Sequence, residues 1–87
     1  MTEDPFVVGH FDAAFRDENA AKAAARDARA VGFVVDVEEA GAGGWAILAW
    51  RKDPFPADEQ QRYAARMRAI AIRHGGSYKR FVPESPQ

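Results

Sequence analysis

Two consecutive glycines, Gly75 and Gly76, close a strongly helical run, and an aromatic segment, Ser77-Tyr78-Lys79-Arg80-Phe81-Val82, begins at once. Glycine enters the left-handed region without a Cβ clash, so a helix ending in Gly-Gly turns sharply and sends the chain back along its own length. The segment after it has the make-up of a short final strand. Read backwards from there, the chain gives helix, strand, strand, helix, strand. That order predicts a βαββαβ sandwich of the α+β class, with a four-stranded antiparallel sheet and both helices on one face.

The chain is 87 residues long, which accommodates one small domain, with an ordered core expected over about residues 6–82 and short flexible termini. Hydrophobic residues at 47% suffice for a core, and charged residues at 29% are ordinary. Cysteine is absent, which rules out a disulfide framework, a thiolate zinc site and a catalytic thiol. The first residues do not resemble a secretory signal, and the apolar runs are too short to cross a bilayer. A cytoplasmic location without membrane attachment is the expectation. The net charge of −1 hides an asymmetry. Residues 1–50 hold 4 Lys/Arg against 9 Asp/Glu (4 − 9 = −5), and residues 51–87 hold 8 against 4 (8 − 4 = +4). Such a split can mark an interaction face.

Residues 6–15 read as the first strand, with Val7, Phe11, Ala13 and Phe15 on one face and Phe6, Val8, His10, Asp12 and Ala14 on the other. Asp17 is placed to cap a helix over residues 18–31, whose buried stripe is Ala20, Ala24, Ala28 and Val31. Residues 33–39 form a second strand with Phe33, Val35 and Val37 facing one way. A glycine-rich loop at 40–44 leads into a third strand, 45–51, apolar on both faces. Residues 52–56 contain two prolines and read as a loop, because proline lacks the ladder donor. The second helix runs from 57 or 58 to 74, burying Tyr63, Met67, Ile70, Ala71 and His74. Arg62, Arg66 and Arg73 lie within roughly 40° of one another on a flanking face. The tail from Pro83 reads as loose.

Catalytic chemistry finds little purchase. The two histidines, His10 and His74, have no metal-ligand spacing, acidic dyad or nucleophile elbow around them. No catalytic residue, cofactor or metal is expected. Gly44, Trp45, Ala46, Leu48 and Trp50 fit part of the aromatic pattern of an RNA-binding sheet, but Gly43 replaces the basic residue and Ile47 the second stacking aromatic. With a pI near 6.1, nucleic acid is not the favoured partner. If the helices cover Leu48 and Trp50, then Trp45, Ile47, His10 and Phe6 share an open sheet face suited to a homodimer or another protein. A dimer of that kind could also enclose a pocket, an α+β barrel enzyme with His10 as its proton carrier. The arginines at 62, 66 and 73, with Lys79 and Arg80 nearby, form a second candidate surface, for an acidic protein or a phosphate.

Several pieces in order resemble the RraB family, regulators of ribonuclease E activity with a ferredoxin-like fold. They are His10-Phe11 through Phe15, the alanine-rich helix ending in Val31-Gly32-Phe33, Trp45-Ala46-Ile47, and His74-Gly75-Gly76-Ser77-Tyr78. The resemblance covers about residues 10–81. It departs after Tyr78, where the family shows Asp-Gly-Trp and this chain has Lys79-Arg80-Phe81. Membership would imply a non-catalytic domain that binds a ribonuclease E-type endoribonuclease and inhibits RNA cleavage. The residues expected to meet a partner are Trp45, Ile47, His10, Arg62, Arg66, Arg73, Tyr78, Lys79 and Arg80.

Overall fold

The computed structural model describes residues 6–84, so the expectations placed on residues 1–5 and 85–87 lie outside it. Eight elements follow in order: β1 (Phe6–Val7), β2 (Gly9–Phe15), α1 (Glu18–Ala30), β3 (Phe33–Glu39), β4 (Trp45–Arg51), β5 (Phe55–Pro56), α2 (Gln60–Arg73) and β6 (Ser77–Pro83). Short 3₁₀ turns stand before β4 and before α2. The main sheet is antiparallel throughout, in the order β3-β4-β2-β6. Both helices pack on one of its faces.

The expected ferredoxin-like layout with a single four-stranded sheet is not what forms. The described residues form six strands in two sheets, because β1 and β5 pair as a separate two-stranded sheet, with Phe6 opposite Pro56 and Val7 opposite Phe55. The first expected strand breaks at Val8, and the proline-containing loop is pulled back against its start. Phe55 supplies the cause. It is buried, stacks on Phe11 with ring centres 6.2 Å apart, and meets Tyr63 edge-on at 4.9 Å. Pro56 is tolerated because a two-residue edge ladder needs few donors. The tail is also corrected: Pro83 ends β6, and the Glu84 amide donates to the Val8 carbonyl at 2.8 Å.

Local chemistry explains both helices. The Asp17 carboxylate accepts from the Ala20 amide at 2.8 Å, satisfying one of the orphan donors of α1. Ala21, Ala24, Ala25 and Ala28 are buried, so the stripe is rotated slightly from the expected one, and Val31 lies past the helix end, exposed. Alanine lets α1 lie close to the sheet, while the large groups come from the strands and α2. Phe11, Ile47 and Met67 are the largest fully buried side chains.

The Gly-Gly stop behaves as its chemistry requires. Gly75 has φ +78° and its amide donates to Ile72, while the Gly76 amide donates to Ala71 at 2.8 Å. These two bonds satisfy carbonyls that α2 would otherwise leave open. Gly76 then passes so near β2 that a Cβ would fall under 3.0 Å from the Ala14 carbonyl oxygen and the Phe15 ring, whereas one on Gly75 would meet open space. Gly75→Ala should therefore cost only the left-handed penalty, about 1–2 kcal/mol. Gly76→Ala should cost more, toward the upper end of the roughly 1–3 kcal/mol typical of overpacking or beyond it. Urea unfolding midpoints test this ranking, and a Gly76→Ala midpoint equal to that of the parent chain would contradict the close approach.

Candidate functional site

Antiparallel pairing sets which side chains share a face. Directly opposite residues point the same way. On β2 the inward set is Phe11, Ala13 and Phe15, all buried. Their partners on β4 are Ala49, Ile47 and Trp45. Ile47 is therefore in the core, fully buried, and Trp45 packs half-buried against it. This reverses the expected sidedness of β4. Trp45 and Ile47 lie under the helices, and Leu48 and Trp50 lie on the uncovered face. The aromatic pattern of an RNA-binding sheet thus loses its surface, since its two stacking positions fall at Trp45 and Ile47.

The uncovered face is laid out by register in three rows across β3, β4, β2 and β6. The first is Val34, Trp50, His10 and Val82; the second is Asp36, Leu48, Asp12 and Arg80; the third is Glu38, Ala46, Ala14 and Ser77. A groove of about 460 Å³ lies over the β4, β2 and β6 part of the first row, lined by Val8, His10, Leu48, Trp50, Val82 and Glu84 among others. His10 keeps the expected side, and its Nε2 stands 3.1 Å from Asp12 Oδ1. That contact lacks hydrogen-bond geometry, so Oδ1 is a buried oxygen with no hydrogen-bond partner. Asp12 Oδ2 lies 3.8 Å from Arg80. Val34, Leu48, Trp50 and Val82 were not among the expected partner-binding residues.

The arginines form a separate site. Arg62, Arg66 and Arg73 line an open groove of about 620 Å³ between α1 and α2, together with Ala30, Ala65, Ala69 and the buried Ile70. Arg62 pairs with Glu59 and Arg73 with Asp27. Arg80 belongs to the opposite face of the sheet, so the expected single basic surface is divided. Lys79 sits exposed at a register shift in β6, where pairing passes from Arg80–Asp12 to Tyr78–Ala13. Tyr78 turns toward the core, beneath Arg68 at 5.5 Å, and burial pushes its phenol above its ordinary value.

Asp27 of α1 links the two helices. Its Oδ2 lies 2.7 Å from His74 Nε2 and 3.2 Å from Arg73. The hydrogen bond to His74 is the main cause holding the Asp27 carboxyl below its ordinary 3.8, helped by the charges of both neighbours. His74 is thus half of an interhelical clasp, 47 residues away in sequence from its partner. Among the described residues, no group of His, Cys, Asp and Glu side chains could hold a metal ion, and no helix is long and apolar enough to cross a membrane.

No family model matches the chain, and no curated protein or solved structure matches it.

The clasp has a defined pH signature. A depressed native pKa means that the carboxylate's stabilisation is fully present above the unfolded value near 3.8 and is lost as pH falls through the lower native value. Asp27→Asn should therefore be less stable than the parent at pH 6, with the gap closing below about pH 4. Urea titrations of both proteins at pH 6 and pH 3 check this; a gap that persists unchanged at pH 3 would assign the loss to something other than the charge.

Proposed function

We propose that this chain is a non-catalytic, cytoplasmic protein-binding regulator that works through its uncovered sheet face, with a ribonuclease E-type endoribonuclease as the partner the RraB resemblance implies. One observation carries the reading. Among the described residues no helix covers the sheet face on which Trp50 and Leu48 stand on the central strand β4, with Val34 and Val82 at the ends of the same rows and Asp36, Glu38 and Arg80 on the outer strands. A contiguous apolar patch ringed by polar groups is the usual mark of a protein interface. A central tryptophan is the side chain most often found to dominate such an interface.

A homodimer is the second reading of the same face. It is favoured by the opposite charges of the two sheet edges. A dimeric barrel enzyme would need more than His10. On the open face its nearest ionisable neighbour is Asp12, and the groove beside it is otherwise mostly apolar.

A pull-down with a ribonuclease E-type enzyme, followed by an RNA cleavage assay, tests the regulator directly. The wild-type chain should bind at micromolar concentration and slow cleavage. Trp50→Glu should weaken binding at least tenfold, while Ile72→Glu, an exposed position on α2, should leave it unchanged. Absence of both binding and inhibition by the wild type would remove this reading.

A further inference from the structure

We infer that, when no other protein occupies the uncovered sheet face, a second copy of this chain covers it in one defined orientation, with the β3 edge of each copy over the β6 edge of the other. The inference rests on the reading of this face as a protein interface and adds the partner and its geometry.

Charge selects the orientation. The β3 edge of the face carries Asp36 and Glu38, both exposed, and the β6 edge carries Arg80 with Lys79 beside it. Two sheets stacked face to face can be related by a two-fold axis lying between them. If the axis crosses the strands, β3 lies over β3 and β6 over β6, so acid meets acid and base meets base. If the axis runs parallel to the strands, each acidic edge meets a basic one. Like charges opposed across an interface suppress the first arrangement.

The side chains agree with the second. An axis along the strands keeps each row over itself in reverse order. Val34 then lies over Val82 of the second copy, Ala46 over Ala14, and Asp36 over Arg80. Trp50 lies over His10 and next to Asp12. Aligned sheets pack about 30° apart, which blurs these pairs without exchanging the edges. The footprint is modest. Four strands about 4.8 Å apart and seven residues long at about 3.3 Å each make a face of roughly 20 by 23 Å. That is about 460 Å² per copy, below the roughly 800 Å² per partner of a standard interface, so the dimer should be weak and concentration-dependent.

The chain has no cysteine, so introduced thiols report geometry cleanly. Val34 and Val82 sit on the two outer strands of one copy, too far apart for an internal disulfide. A chain carrying both Val34→Cys and Val82→Cys should form a covalent dimer on mild oxidation at high micromolar concentration. Val34→Cys alone should not. Efficient cross-linking by Val34→Cys with Glu38→Cys, which an axis across the strands would bring together, or no cross-linking by Val34→Cys with Val82→Cys, would overturn the orientation.

Exposed charge reversals provide a second readout that does not touch the core. Asp36→Lys with Glu38→Lys should raise the dimer dissociation constant at least tenfold in sedimentation equilibrium. Adding Lys79→Glu and Arg80→Glu to the same chain should restore it. A wild-type mass of 9.6 kDa at all concentrations up to millimolar would overturn the inference. It would leave the regulator reading standing if the pull-down succeeds. A normal dimer with a failed pull-down would do the reverse.

Discussion

Everything on this molecule's surface depends on the pairing of β2 with β4, in which Phe11 faces Ala49 and Ala13 faces Ile47. The pairing sets large against small across the two central strands, and α1 answers with alanines. That close fit buries the centre of one face of the sheet, with Val37, Trp45, Tyr78 and Phe81 partly buried around it. It also commits the alternate residues of the same strands, Trp50, Leu48, His10 and Asp12, to the other face. A shift of one residue would exchange the two sets and bury the His10–Asp12 pair. The acid and imidazole on β2 therefore also oppose the wrong register, because a buried charge without good partners is costly.

Much of the local structure was legible in the sequence. The Asp17 cap, the Gly75-Gly76 stop and the span of β3 and β4 follow from residue chemistry. The small β1–β5 sheet was not, because two-residue strands have no periodicity to read and their pairing depends on Phe55 reaching a distant aromatic cluster. The sidedness of β4 is not legible in that strand for a different reason. The run Trp45-Ala46-Ile47-Leu48-Ala49-Trp50 is apolar on both faces, so alternation within it decides nothing. Its neighbour held the answer. A five-residue loop between 39 and 45 pairs odd positions with odd ones, and so places Ile47 beside Val37, on the side that β3 already shows to be buried. The helical arginines fell on one face as their spacing required. Their carboxylate partner Asp27 comes from the other helix, a long-range pairing that spacing does not reveal.

The uneven charge of the two halves of the chain acquires a spatial meaning in the fold. The acidic first half supplies β3, and the basic second half supplies β6, and these are the two outer strands of the main sheet. A charge difference along the chain thus becomes a charge difference across one face. The apolar row between the edges supplies area for association, and the edges supply direction. The arginine groove between the helices lies on the other side of the molecule and remains open when the sheet is covered.

The central claim is that the uncovered sheet face, centred on Trp50, is the surface through which this protein associates. Backbone amide NMR spectra recorded from about 10 μM to 1 mM test it most directly. Concentration-dependent shifts should cluster at Val34, Asp36, Leu48, Trp50, His10 and Val82, and should be absent along the outer face of α2. Shifts confined to Arg62, Arg66 and Arg73, with Trp50 and its row unmoved, would contradict it.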